Sequence, residues 1–305
     1  MVTVPEYEAP ELSHLHPSVR AAARLPANER VELIRADRWI GYPRAVEAVA
    51  RLESLLSWPD KQRMPNLLLI GPTNNGKSMI VEKFRRGHPP VAEAERERIP
   101  VLCVQMPSEP SVLRFYIALL AALGAPLQPR RRLADVEQIS LKLLRLTGVR
   151  MLVIDELHNV LAGQGNSRRE FLNLLRFLGN ELRIPIVGVG TREAYLAVRS
   201  DDQLENRFEP IVLPLWNTGA DTLSLLASFA AALPLQRRSD IATADIAQYL
   251  LARSEGTIGE LARLLTTAAI AAVESGEERI NRRTLVMADY AGPTERRRLF
   301  ERELM

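Results

Sequence analysis

The 305-residue sequence holds one cysteine, Cys103, so an internal disulfide is excluded. A single thiol is compatible with a reducing compartment, and a cytoplasmic location is expected. No apolar run approaches the roughly 18 residues that a bilayer-crossing helix needs, so no membrane contact is expected. The first ten residues carry Glu6 and Glu8 and no apolar centre, so they are not expected to act as a signal peptide. Lysine is nearly absent: of 40 basic residues only Lys61, Lys77, Lys83 and Lys142 are lysines. Net charge is only +3, so this arginine-rich composition reads as a GC-rich coding sequence and does not by itself indicate nucleic-acid binding. Four scattered histidines and one cysteine assemble no zinc site, and no Ser-His-Asp set or acidic nuclease triad stands out. Hydrophobic residues at 47% and charged residues at 25% match folded globular chains, which excludes a largely disordered or collagen-like one.

Hydrophobic periodicity divides the chain. Residues 1–36 read as an extension broken by Pro5, Pro10, Pro17 and Pro26, with a short helix over 25–34 that Asn28 can cap. Val46, Val49, Leu52, Leu55 and Leu56 mark a helix over 43–57. Short apolar runs at 66–70, 101–106, 151–154, 186–189 and 211–215 read as strands, with helices over 77–86, 112–123, 136–146 and 168–183 between them. Residues 92–98 form a charged stretch and 127–135 a loop with three consecutive arginines. Alternating strands and helices predict an α/β domain over 37–215 with a parallel five-stranded sheet. Only helical periodicity follows, at 220–232, 243–253, 257–274 and 282–290, which predicts a small all-helical domain over 216–290. Residues 291–305 are a charged tail, read as a frayed helix.

Gly71-Pro72-Thr73-Asn74-Asn75-Gly76-Lys77-Ser78 matches the P-loop pattern between a predicted strand and a predicted helix. Its glycines let amides turn around a phosphate, and the helix that starts at Lys77 and runs through Met79 points its positive end at the same anion. Lys77 places a cation on the β- and γ-phosphates, and Ser78 offers a hydroxyl to Mg²⁺. Met151–Glu156 is an apolar strand that ends in two carboxylates. Asp155 fits a Mg²⁺ ligand and Glu156 a general base for the attacking water. Thr191 ends another strand and reads either as a contact to the γ-phosphate or lytic water, or as a plain strand-end turn. Arg207, after a short helix, reads as an arginine finger for a neighbouring subunit or as one more surface arginine. His158 reads as a hydrogen-bonding group beside the acids rather than a catalyst.

With these motifs in this order the chain resembles the AAA+ ATPases. Arg38–Ala45, the Gly71–Ser78 loop, Val153–Gly163, Leu174–Thr191 and Glu205–Trp216 resemble the TniB branch, related to the TnsC proteins, over roughly residues 25–275. The resemblance implies an AAA+ P-loop NTPase core followed by a helical lid, with ATP and Mg²⁺ as cofactors. It implies an ATPase, slow and partner-stimulated, that regulates DNA transposition. With ATP it would assemble as a ring or helical filament on duplex DNA, recruit and activate a DDE transposase, and disassemble on hydrolysis. A TniQ-type targeting protein is a further implied partner. Thr191 takes the sensor-1 position and Arg207 the finger position, with Arg192 and Arg199 as rivals. Trp39, Ile40 and Tyr42 fall where this branch lines the adenine pocket, and plain core packing is the alternative. Gly259 and Glu260 stand where many AAA+ proteins have a sensor-2 arginine, and Arg263 comes a turn later, which puts that coupling in doubt.

DNA contact is expected to be sequence-independent and made to phosphates. Ser108, Ser111 and Arg114, at the start of one helix, and Arg130, Arg131 and Arg132, before the next, are the candidates. Arg296, Arg297 and Arg298 alternate with acids and read as a solvated or protein-contacting helix. A helicase-loader-like remodelling ATPase and a nucleotide-gated signalling switch without DNA binding are the competing readings.

Overall fold

The computed structural model describes residues 11–94, 96–126 and 132–304. Arg130 and Arg131 lie outside the described residues. Two 3₁₀ turns, Pro17–Val19 and Ala22–Arg24, precede helix α1 (Ala27–Arg35). Its N-cap is Pro26, not the expected Asn28, which lies inside the helix. Proline has no side-chain acceptor, so the first-turn amides of α1 have no side-chain cap. Helix α2 (Pro43–Leu56) buries Ala45, Ala48, Leu52, Leu55 and Leu56, while Val46 faces out. The stripe is therefore turned one residue from the expected one, with alanines filling its first turns.

Strand β1 (Asn66–Ile70) leads through the P-loop into α3 (Lys77–Gly87). The charged stretch is a small exposed antiparallel pair, β2 (Val91–Ala92) and β3 (Glu97–Arg98). Next come β4 (Val101–Gln105), α4 (Val112–Ala122), α5 (Leu133–Leu146) and β5 (Met151–Asp155). A 3₁₀ segment, Leu157–Ala162, leads to α6 (Gly165–Leu182), β6 (Ile186–Gly190), α7 (Arg192–Arg199), α8 (Asp202–Glu205) and β7 (Phe208–Val212). The five longer strands form one parallel sheet in the order β4-β5-β6-β1-β7. The expected five-stranded parallel sheet is borne out.

The last strand lies three residues before the predicted one. The run Ile211–Leu215 is more apolar, but β7 is an edge strand that buries only Phe208 and tolerates Glu209 and Pro210. The Leu213 amide donates to Ile70 O. By alternation the Pro210 nitrogen faces away from β1, where no ladder bond is needed.

The chain divides into two compact units, one spanning Arg44–Pro214, the other joining the segment up to Pro43 with the residues from Leu215 on. The first has a core between the sheet and its helices, in which Phe115 and Phe171 are fully buried and meet edge to face at 5.1 Å. The second contains α1, α9 (Ala220–Ala232), α10 (Ala244–Ser254), α11 (Ile258–Glu274), α12 (Arg282–Met287) and α13 (Pro293–Glu303). The tail after 291 is thus an ordered helix. The N-terminal segment is tied into this unit: Arg30 makes a two-pronged ion pair with Glu278 at 2.6 and 2.7 Å, and the His16 amide donates to Ala231 O. Among the described residues no single helix is long and apolar enough to cross a membrane.

Phe171→Ala empties the centre of the larger core. We expect a loss of about 3–5 kcal/mol, measured by denaturant unfolding.

Candidate active site

The P-loop leaves β1 at its carboxyl end and is built for close approach. A Cβ on Gly71 would stand 2.9 Å from Leu213 O, so only glycine fits. Asn74 (φ 59°) and Gly76 (φ 82°) adopt left-handed backbone, which turns the loop back on itself. Asn75 is buried, and its Nδ2 donates to Leu213 O at 3.0 Å and Pro214 O at 2.9 Å. This pins the loop to the chain leaving β7. Pro72 is half-buried and Thr73 exposed.

Lys77 opens α3 and is buried, and its Nζ donates to Gly71 O at 2.8 Å and Pro72 O at 2.7 Å. Burial pushes its pKa down, while the carboxylates Glu156 and Asp155 push it up. Ser78 Oγ donates to Asp155 Oδ2 at 3.2 Å. Met79 follows, half-buried, in the first turn of α3.

Asp155 ends β5, and its Oδ1 accepts from the Glu156 amide at 2.8 Å. Glu156 has φ 56°, a left-handed conformation in a residue with a side chain. Thr191 follows β6 and donates to the Glu193 carboxylate. That hydrogen bond holds Glu193 below the usual carboxylate range, helped by His158 and Arg192 nearby. Register places Ile70 beside Gly190 and Gln105 beside Asp155, so these strands exit at one height. The larger unit therefore gathers Lys77, Ser78, Asp155, Glu156 and Thr191 at the carboxyl end of the sheet. Gly190 and Glu193 joined this set unpredicted; the glycine before Thr191 was their only signal.

A Mg²⁺ ion fits the donors present. A hydroxyl and a carboxylate oxygen already lie within hydrogen-bond distance, both hard ligands. Among the described residues no cluster of three or more His, Cys, Asp or Glu could hold a metal.

Arg207 lies at the opposite end. Its carbonyl accepts from the Asn66 amide at the start of β1, so a strand of about 16 Å separates it from its own P-loop. Its Nη1 donates to Asn180 Oδ1 at 2.8 Å. The rival Arg199 pairs with Glu205 at 3.4 Å, and Arg192 is exposed at the start of α7, beside Thr191.

Trp39, Ile40 and Tyr42 belong to the helical unit. Ile40 and Tyr42 are buried, Trp39 is half-buried, and Tyr42 meets Trp216 edge to face at 5.0 Å. Glu260, in the first turn of α11, is buried and accepts from both Arg296 nitrogens, at 2.8 and 3.0 Å, and from Tyr290 Oη at 2.9 Å. The expected sensor-2 position is thus occupied by an acid bound to the C-terminal helix. Arg263 lies 5.9 Å from the Tyr290 ring.

Ser111 caps α4, accepting from the Arg114 amide, and Ser108 and Arg114 are exposed. Arg132 is the exposed N-cap of α5, which begins earlier than predicted. Among the described ion pairs none involves Arg114 or Arg132.

The family model described as "Bacterial TniB protein" matches residues 30–218. No curated protein matches the chain. Among solved structures, the fold is similar to Cdc6p from Pyrobaculum aerophilum, with a TM-score of 0.57 and 16% identity over 84% of this chain and 71% of that one. It is similar to the ORC1 protein of Aeropyrum pernix, solved in complex with DNA, with a TM-score of 0.54 and 18% identity over 85% and 68%. A Walker-type ATPase of Pyrococcus abyssi has a TM-score of 0.53 and 15% identity over 84% and 76%. The expected AAA+ architecture is borne out.

Arg296→Ala should lower the melting temperature at pH 7, because it leaves Glu260 charged and buried. Arg296 holds the Glu260 carboxyl below its ordinary value of 4.5, so the pair's contribution is full above that pH. It is lost as pH falls through the depressed value. Thermal melts should show the gap between variant and parent narrowing below pH 4.5; a constant gap would count against the pair.

Proposed function

Because the chain belongs to the TniB family and has the P-loop fold of an AAA+ ATPase, we propose that it is an ATP-gated, DNA-binding regulator of DNA transposition. The observation that carries this is the gathering of Lys77, Ser78, Asp155, Glu156 and Thr191 at the carboxyl end of the sheet in a TniB chain. The helices from residue 216 on serve as its lid. Gly71–Met79 wrap the phosphates. Lys77 neutralises β- and γ-phosphate charge. Ser78 and Asp155 would hold Mg²⁺, which supplies further charge neutralisation at the transferring phosphoryl group. Glu156 orients the attacking water and takes its proton. Thr191 contacts the γ-phosphate or that water.

Arg207 is a strand's length from its own loop, which supports a finger offered to the next copy of the chain. Hydrolysis then requires assembly, as a ring or filament. The exposed, unpaired Arg114 and Arg132 are suited to phosphate contact, with Ser108, Ser111, Arg130 and Arg131 beside them in sequence. A DNA partner also agrees with the similarly folded ORC1, seen in complex with DNA. Repetition around an assembly turns weak contacts into avidity. The ATP-bound assembly recruits and activates a DDE transposase, a TniQ-type protein places it, and hydrolysis releases it. Glu260 in place of a sensor-2 arginine accords with slow basal turnover.

Electron microscopy on duplex DNA tests the reading: rings or filaments should form with ATP and not with ADP. Assembly indifferent to nucleotide would overturn it. Lys77→Ala should abolish nucleotide binding in a fluorescence titration. Glu156→Gln should bind ATP normally and hydrolyse it about 10²–10⁴-fold more slowly, with longer-lived DNA complexes. Changing Arg130, Arg131 and Arg132 together to Ala should reduce the salt slope of DNA binding by about three.

A further inference from the structure

Glu156 does not face its surroundings alone. His158 Nε2 lies 3.1 Å from Glu156 Oε2. The other ring nitrogen, Nδ1, is buried and has no hydrogen-bond partner. A proton on Nδ1 would be a buried donor with nothing to receive it. The less costly tautomer carries its proton on Nε2, the nitrogen that lies 3.1 Å from Glu156 Oε2, and leaves Nδ1 bare. The ring is also fixed in place. A Cβ on Gly190 would stand 3.3 Å from His158 N, 3.4 Å from His158 Nδ1 and 2.8 Å from Ala194 Cβ. Glycine at the end of β6 therefore leaves the space in which the imidazole lies. His158 thus stands between the base candidate and the strand end that carries Thr191.

We propose that His158 is a positioning residue for hydrolysis: its Nε2–H fixes one oxygen of Glu156 and leaves the other to take the proton of the attacking water. The left-handed backbone at Glu156 turns the chain at the strand end, and the histidine two residues on supplies the side-chain restraint. The inference rests on the reading of Glu156 as the base.

Three substitutions separate the two ring nitrogens. His158→Gln places an amide donor near the Nε2 position, His158→Asn places one near Nδ1, and His158→Leu keeps bulk without a donor. Folding is checked by thermal melts and nucleotide affinity by fluorescence titration, with the full-length protein, ATP and duplex DNA. His158→Leu and His158→Asn should lose about tenfold in kcat while ATP affinity stays within about twofold, as for one lost oriented hydrogen bond. His158→Gln should recover to within about threefold of the parent. Parental kcat in His158→Leu, or equal kcat in the Gln and Asn variants, would overturn the proposal. With only four histidines in the chain, ¹⁵N-edited NMR reads the tautomer directly. A bare Nδ1 supports the assignment and a protonated Nδ1 overturns it. Glu156→Gln keeps the two failures apart: undiminished turnover there removes Glu156 as the base, whereas slow turnover there with a parental His158→Leu removes only the histidine.

Discussion

Parallel pairing is the constraint on which the larger unit depends. In a parallel sheet every strand delivers its chain to the same end, so three separate stretches of sequence reach one place once the strands have paired. β1 delivers the P-loop, β5 the two carboxylates and β6 Thr191. A reversed β5 would move Asp155 a strand's length from Ser78. The register then sets the height, and the Ser78–Asp155 hydrogen bond joins two of the three exits.

The glycines of β6 work in the same place by a different means. A Cβ on Gly188 would meet Leu157 Cδ2 at 2.5 Å and Leu68 Cδ1 at 2.8 Å. The 3₁₀ segment after the acids therefore lies directly on the strand. That close approach fixes the residues just beyond Glu156, His158 among them. A strand read from its apolar alternation alone gives no hint that its two gaps are filled by the neighbouring turn.

Much of the fold was legible because burial is written locally. β1 and β5 are apolar apart from one polar residue at an end, β6 has only glycines between its apolar residues, and the P-loop states its own context between strand and helix. What escaped prediction depended on partners distant in sequence. β7 was placed at 211–215 because those residues are the most apolar, yet an edge strand has one partner and buries little of itself. Val46 is one of the apolar positions that mark α2, yet it is exposed, and Ala45 and Ala48 are buried instead. The tail read as frayed because its charges seemed solvated, but Arg296 finds Glu260 thirty-six residues back. For Arg207 the motif suggested a role, while its distance from its own loop emerged only from the strand pairing.

Pro210 has a consequence for how copies of this chain can meet. An open sheet edge is a template on which another strand can add, and such additions are hard to undo. On β7 the middle one of the outward amide positions holds a proline nitrogen, and Glu209 beside it is exposed. Both features disfavour strand addition from a neighbour. Contacts along it are thereby biased toward side chains, and contacts of that kind can be released without unravelling a shared sheet.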